Sequence, residues 1–95
     1  MFILQVKSFV KEGLASEFIK VASLLVEKSR QEKGCVSYQL CQDQKNPNVF
    51  TFIQQWKDPD LLEKYVQTNY FKELAARCAP LEKKASEFTF YNVLI

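Results

Sequence analysis

Histidine is absent from the chain, and glycine is scarce, with only two residues in 95. Without histidine the chain lacks the commonest transition-metal ligand and the most frequent general base. Two glycines are too few for a glycine-rich phosphate-binding loop. No spacing of Cys, Asp and Glu indicates a zinc or calcium site. We therefore expect a protein with no metal and no cofactor such as flavin or haem.

Cysteine is present in an odd number, with three residues. Cys35 and Cys41 lie on one predicted strand, about 20 Å apart at roughly 3.3 Å per residue, which exceeds the limit of about 7 Å for a disulfide. Cys78 lies on a predicted helix. A catalytic cysteine would need a nearby base, and the chain has no histidine to supply it. Free thiols indicate a reducing compartment, so we expect a cytoplasmic protein.

Neither charge nor hydrophobicity is concentrated in one part of the sequence. Thirteen basic and eleven acidic residues give a net charge of +2. They are interspersed, which argues against nucleic-acid binding. The apolar runs are too short for a transmembrane helix, so no membrane partner is expected. Met1–Val6 lacks the basic and long apolar regions of a signal peptide, and we interpret it as a strand.

The length fits one domain over residues 1–95. A domain of this size buries only about 60–68% of its unfolded surface, so a partner subunit would add stability. The alternation of apolar residues predicts strands over 2–10, 35–42, 49–57 and 86–95, and helices over 14–33, 59–67 and 70–84. Asp58 and Pro59 form a helix start, and Pro80 is expected to disturb the end of the last helix. The order β-α-β-β-α-α-β predicts an α+β, ferredoxin-like fold with a four-stranded antiparallel sheet.

In this fold the helices cover one face of the sheet, and the other face is usually polar. Here the last predicted strand is apolar on both faces. The uncovered face is therefore either an adhesive surface or a binding surface for a flat ligand, and face-to-face pairing of two sheets would bury it in a homodimer. The helix-covered face is expected to carry Phe50, Phe52, Gln54 and Trp56 of the third strand, and Val36, Tyr38 and Leu40 are expected to share one face of the second.

Several stretches share a family pattern. They are 6–13 with Glu17-Phe18, 32–38 with its Gly-Cys-x-x-Tyr strand start, the turn 43–47, 52–58 with its strand-ending tryptophan, Leu61-Leu62, and 68–71. Through them, essentially the whole chain resembles the antibiotic-biosynthesis-monooxygenase domain, the quinol-monooxygenase-like or dimeric α+β barrel group.

The resemblance implies a dimer in which two sheets face each other, with a pocket in each protomer between its helices and its own sheet. Members of the family oxidise quinols or polycyclic phenols with O₂ and without metal or flavin, and others isomerise or cleave small metabolites or degrade haem. The family usually has Glu where this chain has Gln54, and His where it has Tyr65 and Tyr70. Glutamine cannot take a proton, and tyrosine has a reference pKa near 10.

Seven residues are candidates for a site in that pocket. Trp56, Tyr65 and Tyr70 are the best catalytic candidates, and Tyr38, Gln54, Asn69 and Phe71 are candidates for substrate binding. An aromatic wall and neutral hydrogen-bonding tips would suit a flat, weakly polar ligand. Five of them also have a plainer interpretation. Trp56 and Tyr38 would serve as core residues, Tyr65 and Tyr70 would cap the core with their hydroxyls in water, and Asn69 would cap a helix.

Two functions remain open. The first is a cofactor-independent monooxygenase that acts with O₂ on a small quinol, phenol or enol. The second is a non-catalytic dimer that binds a small aromatic or enolic molecule, or an isomerase of a small metabolite. We expect Tyr65→Phe and Tyr70→Phe to weaken binding or turnover with little effect on thermal stability. RNA binding is disfavoured because the aromatic strand signature of RNA-recognition motifs is missing.

Overall fold

The computed structural model describes residues 1–95. The strands are β1 (Phe2–Phe9), β2 (Cys35–Gln42), β3 (Val49–Trp56) and β4 (Glu87–Asn92), and the helices are α1 (Ala15–Ser29), α2 (Pro59–Val66) and α3 (Asn69–Cys78), followed by a 3₁₀ turn at Ala79–Leu81. This order confirms the predicted one. None of the helices combines the length and the apolar character needed to cross a bilayer.

The four strands form one antiparallel sheet in the order β2-β3-β1-β4, which confirms the ferredoxin-like α+β fold. The alternation of β3 places Phe50, Phe52, Gln54 and Trp56 on the face toward the helices, and all four are buried. Phe18 of α1 packs on this face, with its ring centroid 5.0 Å from that of Phe50. The core therefore lies between β3, β1 and the helices.

Two side-chain caps divide the second helical region. The Asp58 carboxylate accepts a hydrogen bond from the Leu61 amide at 3.0 Å and begins α2. The Thr68 hydroxyl accepts from the Phe71 amide at 3.3 Å and begins α3, and it lies 2.7 Å from the Tyr65 carbonyl oxygen. Thr68 is thus the cap of α3, and Asn69, considered as a cap from the sequence, is its first helical residue.

The main differences from the predicted elements are in α1, β2 and α3. α1 ends at Ser29, and Gly34, with φ of +88°, turns the chain into β2 beside the side chain of Leu61. β2 carries a bulge between Cys35 and Ser37 that leaves Val36 47% exposed, so Val36 does not share the buried face with Tyr38. α3 ends at Cys78 because Pro80 cannot continue the helix, and residues 82–84 are not helical.

Candidate functional site

A cavity of about 200 Å³ lies between the helix-covered face of the sheet and the helices. Thirteen of its 17 lining residues are hydrophobic, so its walls are mainly apolar. β1 contributes Leu4 and Val6, β3 contributes Phe52, and α3 contributes Phe71. Such a space suits a small ligand with an apolar body.

Polar groups at one side of the cavity form a continuous chain of hydrogen bonds, which we call the hydroxyl chain. Trp56 Nε1 donates to Gln54 Oε1 at 2.7 Å, and Gln54 Nε2 donates to the Tyr38 hydroxyl at 3.4 Å. The Tyr65 hydroxyl donates to the Tyr38 hydroxyl at 3.0 Å and lies 2.6 Å from Ser29 Oγ. The hydroxyl chain keeps the polar ends of the Tyr38 and Gln54 side chains in fixed positions at the cavity wall.

The fold explains why these groups meet. The register of β2 and β3 places Tyr38 directly opposite Gln54. Tyr65 lies one helical turn beyond Leu61 on α2, on the side that packs over the end of β3. Burial is the main reason why the pKa values of Tyr38 and Tyr65 are raised above that of a free tyrosine. Both side chains therefore remain neutral at physiological pH and can act as hydrogen-bond donors.

Four of the seven predicted residues line the cavity, namely Tyr38, Gln54, Tyr65 and Phe71. Trp56, Tyr70 and Asn69 do not, so the prediction that Trp56 and Tyr70 share the cavity with Tyr65 is wrong. Trp56 is fully buried behind Gln54, with its ring centroid 4.9 Å from that of Tyr65.

Tyr70 points away from the cavity and toward the end of α1. Its hydroxyl donates to the Glu32 carboxylate, and Lys28 Nζ lies 5.4 Å from its ring centroid. Burial and then the Glu32 hydrogen bond raise the Tyr70 pKa. Arg30 Nε donates to the Tyr38 carbonyl oxygen at 2.9 Å and so links the end of α1 to β2.

Four residues line the cavity without having been identified from the sequence, namely Cys78 and the polar residues Ser8, Glu82 and Ser86. Pro80 ends α3, but nothing in the sequence around Glu82 and Ser86 indicates that these residues border the cavity. Burial, followed by the charge of Glu82, raises the pKa of Cys78 to about 11, so this thiol is neutral and weakly nucleophilic. No group of three or more Cys, Asp or Glu side chains lies close enough to hold a metal ion.

Residues 1–77 match the family model described as antibiotic biosynthesis monooxygenase. The chain belongs to this family. The match to the antibiotic biosynthesis monooxygenase model ends at residue 77, within α3, so Glu82 lies outside the matched region.

Individual relatives and solved structures align with most of this chain. An uncharacterised protein of Synechocystis is 33% identical over 84 residues, which are 88% of this chain, and the aligned part spans 57% of that longer relative. YcnE of Bacillus subtilis is 30% identical over 94 residues, which are 94% of this chain and 99% of YcnE. A crystal structure of an antibiotic biosynthesis monooxygenase superimposes with a TM-score of 0.94 at 27% identity, and the match covers 100% of both chains.

Proposed function

We propose that this member of the family is a cofactor-independent monooxygenase that uses O₂ to oxidise a small quinol, phenol or enol. The observation that carries the proposal is a cavity with apolar walls and a rigid, neutral hydroxyl chain at one side. In such a reaction the substrate is the only reductant, since one atom of O₂ enters it as a carbonyl and the other leaves as water. The protein would position the substrate, exclude water and hydrogen-bond its oxygen.

Tyr38 has the best position for that hydrogen bond. Its hydroxyl oxygen accepts from Tyr65 and from Gln54, and a phenol carries a single proton of its own. That proton has no protein acceptor among the hydrogen bonds of the structure, and the hydroxyl borders the cavity. We assign to Tyr38 the donation of a hydrogen bond to a substrate oxygen, where negative charge develops as the substrate becomes reactive toward O₂.

The experiment is oxygen uptake with a panel of quinols, phenols and enediols. We expect uptake with at least one of them, and a loss of about a hundredfold to a thousandfold in kcat/KM for Tyr38→Phe, which removes one donor aimed at the developing charge. Tyr91→Phe is the matched control, because the same hydroxyl group is removed from a residue that lies outside the cavity. Equal activity of both variants would refute the role of Tyr38.

The alternative function is a non-catalytic small-molecule-binding protein or an isomerase. The observation in its favour is that Gln54, Tyr65 and Tyr70 occupy the positions where the family usually carries ionisable groups, so the usual bases are missing. Ligand-induced stabilisation without oxygen uptake would favour a binding protein, and product formation without oxygen uptake would favour an isomerase.

We further propose that the protein acts as a homodimer in the cytoplasm. All six residues of β4 are exposed in the single chain, and Phe88 and Phe90 are 63% and 61% exposed although they project to the helix side. A partner subunit would cover this apolar edge. Sedimentation at micromolar concentration should give twice the 11.1 kDa chain mass, and a monomer would refute the dimer. The three free cysteines support a reducing compartment.

A further inference from the structure

A carboxylate lies at the end of the cavity opposite the hydroxyl chain. Glu82 forms an isolated antiparallel bridge with Val10. Two backbone hydrogen bonds of 2.8 Å hold this bridge, from Lys11 N to the Leu81 carbonyl oxygen and from Lys83 N to the Phe9 carbonyl oxygen. Residues that face each other across an antiparallel pair project to the same side. Because Val10 is buried beneath the helices, the Glu82 side chain also points toward them and borders the cavity.

Two serines complete this region, which we call the acidic end. Ser86 Oγ donates to Glu82 Oε1 at 2.6 Å, and Ser8 Oγ lies 3.3 Å from Ser86 Oγ. Ser8 is only 2% exposed, and all three side chains line the cavity. No lysine or arginine lines it, so the carboxylate has no cationic partner inside. An ionised carboxylate has about four acceptor sites, and Ser86 occupies one of them.

The two polar regions face a ligand from different ends. Gln54 of the hydroxyl chain pairs with Leu4 on β1, and Ser8 of the acidic end lies four residues after Leu4 on β1. At roughly 3.3 Å per residue, Leu4 and Ser8 are about 13 Å apart. Hydrogen-bond donors therefore lie at one end, acceptors lie at the other, and apolar walls lie between them. This arrangement suits a flat molecule with an oxygen at one end and a hydroxyl group at the other.

We propose that Glu82 binds the hydroxyl group of the substrate and accepts its proton, with Ser86 as a positioning residue. The substrate O–H bond breaks, the proton moves to a Glu82 carboxylate oxygen, and the electron pair stays on the substrate oxygen. The resulting oxyanion is the electron-rich species that the proposed monooxygenase function requires, and the inference rests on that function for its catalytic part. Glu82 thus supplies the base that Gln54 and the two tyrosines cannot provide.

The test compares binding of a naphthohydroquinone and of its dimethyl ether under nitrogen, by calorimetry. The ether has the same ring but no proton to donate. We expect the wild-type protein to bind the diol about tenfold or more tightly than the ether, because a hydrogen bond to a charged acceptor is among the stronger ones. Glu82→Gln should lose this preference through weaker diol binding, and its affinity for the ether should stay unchanged.

Two further variants separate charge from fold. Glu73→Gln removes the same charge from an exposed position of α3 and should keep the preference of the wild type. Glu82→Asp keeps the carboxylate but withdraws it by one methylene, and it should retain part of the preference. If Glu82→Gln fails to fold, Glu82→Asp decides the question, since a reduced or lost preference for the diol would support the proposal and a preference equal to that of the wild type would overturn it.

Oxygen uptake with the diol distinguishes failure of the inference from failure of the proposed function. A diol preference that depends on Glu82, without oxygen uptake by any variant, would support the site and refute the monooxygenase. Oxygen uptake that is the same in wild type and Glu82→Gln would support the monooxygenase and overturn the role of Glu82. Equal binding of diol and ether by the wild type would also overturn that role.

Discussion

Replacing Tyr65 with phenylalanine tests the hydroxyl chain directly. The side chain is 1% exposed, and its hydroxyl contacts Ser29 and Tyr38. The substitution keeps the ring and removes both contacts. Ser29 retains the Leu25 carbonyl oxygen and Tyr38 retains Gln54, so neither is left without a partner. The cost is therefore that of two buried hydrogen bonds, about 1–3 kcal/mol of unfolding free energy.

For a domain of this length, each kcal/mol corresponds to about 4–8 °C in Tm, so we expect Tyr65→Phe to lower the melting temperature by about 10 °C. This value replaces the expectation from sequence that stability would be nearly unchanged. Tyr70→Phe is the matched comparison, because Tyr70 is only half-buried and donates to Glu32 near the surface. Water can replace that partner, so the loss should stay below about 1 kcal/mol.

Thermal melts followed by far-ultraviolet circular dichroism at neutral pH provide the measurement, with urea denaturation as an independent one. A Tyr65→Phe protein that melts within about 2 °C of the wild type would show that the hydroxyl chain adds no stability. A larger loss for Tyr70→Phe than for Tyr65→Phe would show that the assignment of buried and surface roles is reversed. Either result would refute the reasoning.

Three further predictions follow from particular contacts. Gly34→Ala should lower the free energy of unfolding, measured by urea denaturation, by about 1–3 kcal/mol more than Gly13→Ala. Both glycines have positive φ, but only at Gly34 would the new Cβ overlap a side chain, since it would lie 2.8 Å from Leu61 Cβ. Equal losses for the two variants would contradict this overlap. Stability should fall as pH rises from 9 toward 11, since the unfolded chain loses the Cys78 proton before the folded one does, and the fall should be smaller in Cys78→Ala. Phe90→Asp should shift the sedimentation of the protein from dimer to monomer, whereas an unchanged dimer would place the interface elsewhere.

The sequence was sufficient to predict the order of elements because local rules govern it. The alternation of β3 places Gln54 and Trp56 on one face, and Asp58 with Pro59 begins α2 whatever the rest of the chain does. Tyr65 was expected to face the cavity because it lies on the apolar side of that short helix. These features depend on neighbours within a few residues, and the structure agrees with each of them.

The misplaced site residues depend on contacts between distant parts of the chain. A period of two gives the face of a strand residue but not its depth, so it could not show that Trp56 lies behind Gln54 and donates to it. The Tyr70 hydroxyl donates a hydrogen bond to Glu32, and the Tyr70 side chain therefore lies outside the cavity. Glu82 reaches the cavity only because its backbone bridges to Val10 near the other end of the sequence, and no pattern around residue 82 contains that information.

The position of β1 in the sheet has a consequence for how the chain acquires its structure during synthesis. β1 leaves the ribosome first, yet it lies between β3 and β4, and Phe2 pairs with Trp56 on one side and with Asn92 on the other. Only β2 and β3 are joined by a short turn and can pair locally. Pairings between distant segments form slowly because a long loop must close first. One edge of β1 therefore stays unpaired until β3 has been made, and the other edge stays unpaired until β4 has been made.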